Sequence, residues 1–397
     1  MISDKNSMII VGGSQSHVPF IKASKKIGYK TVVFDGDKNC KGAKISDSFC
    51  KISTHDEDKI ISKCCELNEK KNIAGIMTYS SSTEPLMAVS KICEKLNLPS
   101  FSTESVRLTI DKVLMKECFS NNGIPTPEWI VTDNQTEAII FTKGTSDRLI
   151  IKPSNGSQGS KGVNLIDQDS DISKQFEIAK ENSHDSKVIL EKYYTGREFS
   201  VDGIVAGDKP VILSVSEKFN LGPEFNFTMC GFSMGEIANE DGELQKAFAS
   251  IKETAIKAVK AMNISNSFFS ADIILTGHGP MVLECGVLLD CKIDRMLYYA
   301  EIDVYELIIK IITGQKIDSD KIHKVENLYF SFLFAPNEGR LNINSEEANK
   351  YDGIIEWEKP NGSFVKPPNS IADALGWIIT KDEIDFDYKQ NLIFDIE

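Results

Sequence analysis

The chain has 397 residues, enough for two or three domains, and its 41% apolar and 26% charged residues are typical of a globular protein. The net charge of −13 argues against a nucleic-acid partner. No apolar run approaches the roughly 20 residues that a membrane-spanning helix needs, and no secretory signal is recognisable at the start. We therefore expect a cytoplasmic protein without a membrane partner.

The cysteines support the same location. There are nine of them, an odd number, and no C-x-x-C pair or metal-type spacing occurs. Reduced thiols in a cytoplasmic protein are therefore a better interpretation than a disulfide framework.

The first hundred residues alternate strand-like and helix-like segments. "MIIVGG" and "TVVFDGD" read as strands, and "HVPFIKASKKIGYK" reads as a helix that ends at Gly28. This alternation predicts a parallel sheet, and ligands of such sheets lie at the carboxyl ends of the strands. The residues expected along that edge are Gly12, Gly13, Asp35, Asp37 and Tyr79 to Thr83.

The pattern changes in the middle of the chain. "RLTIDKVLMKECFSNNG" reads as one helix, and the prolines at 125 and 127 then predict extended chain. From Leu149 the order is strand, loop, strand, helix, strand. Two later strands, "EFSVDGIVAG" and "KPVILSVSEKF", meet at a Gly-Asp turn that predicts a hairpin. The last seventy-odd residues look β-rich.

The segment "LIIKPSNGSQGSKGVNLI" contains a buried-looking strand that ends in Lys152, followed by a loop of small polar residues. A single lysine of this kind is usually a surface residue, and the loop is not a Walker-type motif. A lysine beside exposed backbone N–H groups is nevertheless what a polyphosphate needs. Such a site also requires a second cation, a place for a base and ribose, and carboxylates for Mg²⁺.

All three requirements have candidates. Lys112 lies upstream in "TIDKVLMKECF", and "VILEKYYTGREFSVDG" carries Glu191 and Glu198 on either side of a strand-to-strand link. Asp272 and Glu284 lie on two consecutive predicted strands. If those strands pair, both carboxylates can reach one hard cation.

With these motifs in this order, nearly the whole chain resembles the ATP-grasp superfamily, which includes biotin carboxylase, D-alanine–D-alanine ligase and glycinamide ribonucleotide synthetase. The resemblance implies a mixed α/β and α+β fold. It implies a Rossmann-like parallel βαβ domain at 1–105, preceding the ATP-grasp domain. It also implies an ATP-grasp domain of two α+β subdomains at 106–315, with a lid at about 120–190, and a small β-rich domain at 316–397.

The resemblance also implies roles for individual residues in binding ATP and Mg²⁺. Lys112 and Lys152 would contact the phosphates, the loop at 154–162 would be a flexible lid, and Asp272 and Glu284 would bind the metal. The full set implied to bind the nucleotide is Lys112, Lys152, Ser154, Gly156, Ser157, Gln158, Gly159, Gly162, Glu191, Lys192, Tyr193 and Glu198. The alternative interpretation of the metal pair is solvent-facing carboxylates on an edge strand, which the apolar residues on either side of both positions disfavour.

One motif departs from the family pattern. The strand that usually reads E-x-N-x-R, with the Asn on the metal and the Arg on the transferred phosphate, here places Gly286 and Leu288 at those two positions. Cys285 beside the metal-site glutamate is more plausible as a small strand residue than as a nucleophile. The departure puts the usual ligase geometry in doubt.

Two cations just downstream could replace the missing arginine. Lys292 and Arg295 are three residues apart and would share one face of a helix. Arg295 is the better candidate because guanidinium binds phosphate or carboxylate in a bidentate manner. The alternative is an ordinary surface ion pair with Asp290 or Asp294.

The resemblance implies a carboxylate–amine ligase that forms an amide through an acyl phosphate and releases ADP and phosphate. Its partners would be a small-molecule carboxylate and an amine, and a homodimer is left open. The rival interpretations are a kinase that stops at phosphoryl transfer, a nucleotide-binding protein without catalysis, and a dinucleotide oxidoreductase. The last is suggested by "IIVGGS" and Asp35, but the segment lacks the G-x-G-x-x-G spacing.

Overall fold

The computed structural model describes residues 6–71, 73–155, 162–167, 169–225, 227–235, 242–323, 325, 327–349, 352–381 and 393–396. Within these ranges, no helix combines the length and the apolar character needed to cross a membrane.

The N-terminal segment forms a parallel sheet, as the alternating pattern predicts. Its strands are β1 (Ser7–Val11), β2 (Lys30–Asp35), β3 (Ser48–Lys51) and β4 (Ile73–Thr78), in the order β3-β2-β1-β4. Its helices are α1 (Val18–Ile27), α2 (Lys41–Ile45), α3 (Glu57–Lys71) and α4 (Thr83–Leu96). Helix α1 ends at Gly28, whose φ of 104° is a left-handed conformation that favours glycine.

The single helix expected from "RLTIDKVLMKECFSNNG" is in fact two helices, α5 (Thr103–Ile110) and α6 (Lys112–Asn121). They separate at Asp111, which is extended (φ −109°, ψ 104°) and caps α6 because its carboxylate accepts hydrogen bonds from the N–H groups of Val113 and Leu114. Strand β5 (Trp129–Thr132) follows, and a helix that the sequence did not reveal, α7 (Gln135–Lys143), comes after it.

A small antiparallel sheet carries the strand that ends near Lys152. It contains β5, β6 (Leu149–Pro153), β7 (Asn164–Ile166) and β8 (Val188–Lys192) in the order β5-β8-β6-β7, and α8 (Ile172–Glu181) lies between β7 and β8 in the chain. Buried side chains of the two middle strands pack with α7 and α8, which gives this unit a core of its own.

The next elements build a large antiparallel sheet. They are β9 (Arg197–Ala206), β10 (Lys209–Asn220), β11 (Met229–Met234), β12 (Ser267–Thr276) and β13 (Gly279–Gly286), with helices α9 (Gly242–Ala261), α10 (Ile293–Tyr299) and α11 (Val304–Ile312). Strands β9 and β10 form the predicted hairpin, with a turn at Gly207 and Asp208. Strands β12 and β13 also pair, which is the condition under which Asp272 and Glu284 come together.

The C-terminal segment is β-rich, but several of its strands extend the large sheet instead of forming a sheet apart from it. Its elements are β14 (Leu328–Leu333), β15 (Gly339–Ile343), α12 (Ser345–Asn349), β16 (Gly353–Trp357), β17 (Phe364–Val365), β18 (Gly376–Thr380) and β19 (Phe394–Ile396). Strand β14 pairs with β11, so the large sheet runs β13-β12-β9-β10-β11-β14-β18-β16. Strand β15 pairs with β17 and β19.

Along the middle of β9, apolar side chains point to one face of the sheet and polar side chains to the other, because side chains alternate along a strand. Phe199 and Val201 on β9 join a buried apolar cluster that includes residues of α9. Ser200 and Asp202 point to the other face, where Ser200 is paired in register with Asp272 of β12. The polar face is where the functional side chains converge.

Candidate active site

The start of α6 and the end of β6 meet at one edge of the site. The backbone N–H of Lys112 donates to the carbonyl of Ser154 (3.0 Å), and Asp111 and Asn155 form a β-bridge. These backbone contacts place Lys112, the first residue of α6, beside Ser154, the first residue of the Gly/Ser loop. Lys112 is thereby placed beside β13, where its Nζ lies 2.6 Å from Glu284 Oε1.

Asp272 and Glu284 are direct cross-strand partners on β12 and β13. The strand register therefore brings the two carboxylates side by side. Each already contacts an ammonium group: Glu284 contacts Lys112, and Asp272 Oδ2 lies 2.7 Å from Lys218 Nζ. Lys218 also reaches Asp290 Oδ2 at 2.9 Å.

The two carboxylates differ in their ease of ionisation. Partial burial opposes ionisation of Glu284, but the charges of Lys112 and Lys152 outweigh it and lower its pKa to about 2. Burial raises the pKa of Asp272 above its usual range; Lys218 opposes this shift and Asp290 adds to it. Glu284 is thus the permanently charged member of the pair.

Asp202 lies on β9, opposite Ser270 of β12, and is fully buried. Its carboxylate accepts hydrogen bonds from Ser200 Oγ (2.7 Å) and from the backbone N–H of Asp290 (2.8 Å). Burial and the nearby charge of Asp290 raise the pKa of Asp202. We refer to Asp202, Asp272, Asp290 and Lys218 as the aspartate cluster.

A second group of charges lies deeper, between α6 and the small sheet. Glu191 Oε1 is 2.6 Å from Lys152 Nζ, and Glu191 Oε2 is 2.6 Å from Lys116 Nζ. All three residues are buried, with relative exposures of 1% for Lys116, 4% for Glu191 and 5% for Lys152. We refer to Lys112, Lys116, Lys152, Glu191 and Glu284 as the lysine cluster.

The link after β8 was expected on the adenine side. The N–H groups of Lys192 and Tyr193 donate to the carbonyls of Glu128 and Arg148, both at 2.9 Å, which fixes the start of the link. The guanidinium of Arg148 lies over the Tyr193 ring at 4.7 Å. Lys192 itself pairs with Asp147 at 2.8 Å, so its ammonium is already engaged.

Glu198, expected to contact the ribose, follows this link on β9. Its Oε2 accepts a hydrogen bond from Asn220 Nδ2 at 2.9 Å, and it lies opposite Lys218 in the pairing of β9 with β10. That register places Glu198 one strand away from Lys218, at the border of the aspartate cluster.

The Gly/Ser loop is described only at its ends. Ser154 is buried, and its hydroxyl contacts Ser183 Oγ (2.9 Å) and Asp185 Oδ1 (2.5 Å). Gly162 has a φ of 72°. The expected phosphate-binding residues Gly156, Ser157, Gln158 and Gly159 lie outside the described residues.

The departure from the family motif has a packing counterpart. A Cβ on Gly286 would stand 3.0 Å from Thr109 Cγ2 on α5, so any side chain here would press on that helix. Leu288 packs against the apolar cluster that contains residues of α9. The two positions serve the contact between helices and sheet, and neither offers a polar group.

The two cations predicted to replace the arginine have partners of their own. Lys292, the N-cap of α10, lies 3.0 Å from Glu358 and over the Trp377 ring at 5.1 Å. Arg295 Nε lies 3.6 Å from Asp294 Oδ2, one of the two pairings that the sequence left open. By contrast, Lys218 already contacts a proposed metal ligand.

The parallel-sheet edge is held together by its own polar groups. Asp35 accepts hydrogen bonds from the N–H groups of Gly13 and Asp37, each at 2.8 Å. His17 is buried, and burial lowers its pKa to about 4 although Asp35 opposes the shift. The Asp35 carboxylate therefore holds a turn through backbone N–H groups. In a dinucleotide oxidoreductase, the same carboxylate would have to bind the ribose.

Sequence reasoning missed Lys116, Lys218, Asp202 and Asp290. The alternation of polar residues along β9 and β10, at Ser200 and Asp202 and again at Ser216 and Lys218, was a usable signal of a polar sheet face. Lys116 lies one helical turn after Lys112, which was the corresponding signal on α6.

Asp272 and Glu284 fit a hard cation such as Mg²⁺. Oδ1 of Asp272 is buried and has no hydrogen-bond partner among the described residues. Over the same ranges, no three His, Cys, Asp or Glu side chains converge as a metal cage. Two carboxylates with further positions left for phosphate oxygens and water are the usual magnesium arrangement at nucleotide sites.

Comparison with known proteins defines the class of this site. Residues 109–286 match the family profile described as ATP-grasp domain. That segment contains the small antiparallel sheet and strands β9 to β13 of the large sheet, which carry the site residues. This segment of the chain is therefore similar to the ATP-grasp domain.

Similar proteins agree with this assignment. N5-carboxyaminoimidazole ribonucleotide synthase of Staphylococcus aureus (strain COL) is 24% identical over 184 residues, which are 46% of this chain and 46% of that protein. The chain thus aligns with about half the length of the curated relatives it matches. L-amino acid ligase from Bacillus licheniformis has a TM-score of 0.79 at 17% identity, covering 99% of this chain and 98% of that chain. Phosphoribosylglycinamide synthetase from Anaerococcus prevotii has a TM-score of 0.73 at 17% identity, with 99% of both chains covered. Because their sequence identity to this chain is only 17%, these two structures show that the fold is shared and nothing more.

Proposed function

We propose that the protein is an ATP-dependent carboxylate–amine ligase that forms an amide through an acyl phosphate. The observation that carries the proposal is the meeting of Lys112, Lys152 and the Asp272–Glu284 pair in one ATP-grasp domain. The proposal includes domains at 1–105, 106–315 and 316–397.

The lysine cluster is the proposed site of the nucleotide phosphates. Lys112 and Lys152 supply point charges, and each is paired with a carboxylate that an incoming phosphate would compete with. Glu191, Lys192 and Tyr193 are proposed on the adenine side and Glu198 on the ribose. One matched structure, the N5-carboxyaminoimidazole synthetase from Staphylococcus aureus, is a complex with ADP, which supports a nucleotide in this fold.

Asp272 and Glu284 are the proposed Mg²⁺ ligands. When bound, the ion would neutralise charge on the phosphates of ATP. The role of the chain is to hold the two carboxylates side by side through the pairing of β12 with β13. The ammonium groups of Lys112 and Lys218 balance the charges of Glu284 and Asp272, respectively.

The cation missing at position 288 has two candidates, Arg295 and Lys218. Arg295 is the sequence-based candidate and contacts Asp294. We favour Lys218 because its Nζ lies 2.7 Å from Asp272, the proposed metal ligand. In this position its charge can stabilise the phosphoryl group and then the acyl phosphate.

The proposed reaction needs no nucleophile from the protein. An oxygen of the substrate carboxylate attacks the γ-phosphorus and ADP leaves. The amine nitrogen then attacks the acyl carbon, phosphate leaves, and the amine proton can pass to the departing phosphate. The protein contributes position and charge, which are the main sources of catalysis in phosphoryl transfer. The Cys285 thiol is buried, which raises its pKa and makes it a poor nucleophile.

The test is ADP release with Mg·ATP and a panel of amino acids and amines, with the products identified by mass spectrometry. We expect ADP release to depend on both a carboxylate and an amine, and a new amide to appear in proportion to the ADP. Lys91→Met is a matched control because Lys91 pairs with Glu57 at 2.6 Å, outside both clusters.

Two other outcomes would replace the proposal. ADP and a phosphorylated product formed without any amine would make the protein a kinase. The residues at positions 286 and 288 favour a second candidate, a nucleotide-binding protein without catalysis. Gly286 has no side chain and that of Leu288 is apolar, so neither can contact a metal ion or a phosphate. That candidate predicts Mg·ATP binding and no turnover with any pair of substrates.

A further inference from the structure

Glu191 has more positive charge around it than a buried ion pair needs. Its two oxygens lie 2.6 Å from two different ammonium groups, those of Lys116 and Lys152. One lysine is enough to neutralise one carboxylate, and burying a second ammonium group is costly. The second lysine therefore calls for an explanation beyond stability.

The two lysines are anchored differently. Lys116 Nζ also donates to Thr126 Oγ1 (3.1 Å), and that hydroxyl donates to the carbonyl of Val282 (2.9 Å). This chain of contacts ties Lys116, on α6, to β13. Lys152 lies on β6, just before the Gly/Ser loop, and its ammonium contact is Glu191. Lys152 is the one that can turn away without breaking such a chain.

We infer that Lys116 is a positioning residue that keeps Glu191 paired when Lys152 turns to the phosphates of ATP. The inference rests on the proposed function, in which Lys152 binds phosphate. Without Lys116, Lys152 would be the one counter-ion left to the buried Glu191 carboxylate among the residues that the structure describes. Turning toward ATP would then leave Glu191 unpaired in the interior, which opposes nucleotide binding.

The charges of the cluster agree with this division of roles. Burial lowers the pKa of Lys116, with Glu191 opposing the shift. Burial also opposes the charge on Lys152, but Glu191 and Glu284 outweigh it and raise its pKa. The surroundings of Lys152 therefore favour its charged form more than those of Lys116 do, as suits a partner for an anion.

Binding of Mg·ATP measured by calorimetry, together with the KM for ATP and kcat, tests the inference. Lys116→Met should weaken ATP binding about 10-fold to 100-fold and raise the KM in parallel, with a smaller change in kcat. Lys116→Met combined with Glu191→Gln removes both charges, so Lys152 is released and part of the lost affinity should return. Thr126→Val keeps both charges and should give the same change to a smaller degree.

The double variant separates positioning from a purely structural role. If Lys116 has a purely structural role, the double variant should bind Mg·ATP no better than Lys116→Met does. Lys91→Met is again the control and should bind Mg·ATP as the unmodified protein does. If Lys116→Met fails to fold, Thr126→Val still gives the comparison, because it keeps the charges of Lys116, Lys152 and Glu191.

The results distinguish the inference from the proposed function. Normal ATP affinity in Lys116→Met, or no recovery in the double variant, would overturn the role of Lys116 and leave the ligase proposal standing. An unmodified protein that binds no ATP would overturn both. Normal binding and the expected double-variant recovery without any ligase turnover would support Lys116 and remove only the ligase activity.

Discussion

The two charged clusters of the site have opposite compositions. The lysine cluster has three ammonium groups and two carboxylates, whereas the aspartate cluster has three carboxylates and one ammonium group. The first lowers the pKa of its carboxylate Glu284, and the second raises the pKa values of Asp202 and Asp272. A surplus of positive charge suits a polyphosphate, and a surplus of carboxylates suits a cation.

The clusters meet at the pairing of β12 with β13, where Asp272 of one lies beside Glu284 of the other. The proposed metal pair is therefore the border between a phosphate-binding side and a cation-accepting side. Variants that remove one charge at a time test whether the two sides act differently.

Lys152→Ala should give the largest loss. We expect ADP formation to fall by about 10²-fold or more, as for other groups that stabilise transition-state charge. The fold should survive because Lys116 remains 2.6 Å from Glu191 and keeps that carboxylate paired. Turnover and thermal unfolding measured on the same preparation check both statements, and normal turnover would remove Lys152 from the phosphate site.

Lys218→Met tests the aspartate cluster and should come next, with a loss of turnover of about 10-fold to 100-fold. Stability should also fall because Asp272 and Asp290 lose their shared counter-ion. Lys218→Met with Asp290→Asn should recover part of the stability without recovering turnover. Recovery of both would mean that Lys218 balances charge and has no part in the reaction.

Glu284→Gln and Asp272→Asn compare the two sides of the metal pair. Glu284 is ionised over the whole working pH range, whereas the raised pKa of Asp272 leaves it partly protonated as pH falls. Glu284→Gln should therefore cost about 10-fold in turnover, and Asp272→Asn less, with catalysis affected more than nucleotide binding. A Mg²⁺ titration of both variants is the measurement, and full activity in both would place the metal elsewhere.

The sequence predicted the elements of this site better than their side-chain partners. The positions of Lys112, Lys152, Asp272 and Glu284 follow from strands and loops that periodicity reveals, and the strand pairing then joins two of them. The contacts of Lys116 and Lys218 join residues far apart in the chain, so no local pattern could name their partners. The break between α5 and α6 was not predicted because the helical pattern of the sequence continues on both sides of Asp111, the residue that caps α6.

The C-terminal segment shows the same limit. Its strands were evident from composition, but the pairing of β14 with β11 is set by tertiary packing. The sequences of β11 and β14, taken separately, contain no pattern that identifies the other strand as the partner. The sequence therefore indicated a β-rich unit without revealing that it extends the sheet of the active site.

Asp202→Asn should change stability more than turnover. Because the pKa of Asp202 is raised by burial, the folded protein holds a proton that the unfolded chain releases near the ordinary carboxyl pKa of 3.8. Stability of the unmodified protein should therefore fall as pH rises above that value until the raised pKa is passed. Asp202→Asn removes this contribution, so its unfolding free energy should depend less on pH over that window. Urea unfolding of both proteins from pH 5 to pH 8 measures this dependence. An unfolding free energy that changes equally with pH in both proteins would contradict the raised pKa.

Arg295→Leu should have the smallest effect and decides between the two candidate cations. Arg295 Nε lies 3.6 Å from Asp294 Oδ2, while that oxygen accepts a shorter hydrogen bond from Tyr305 (2.7 Å). Asp294 therefore keeps a partner when the guanidinium is removed, and we expect a stability change under about 1 kcal/mol. If Lys218 is the site cation, turnover and the KM for the carboxylate should stay within about twofold. If instead Arg295→Leu lowers turnover by orders of magnitude while Lys218→Met does not, the cation lies on α10 and the aspartate cluster has no role in the chemistry. Losses in both variants would mean that two cations share the acyl phosphate.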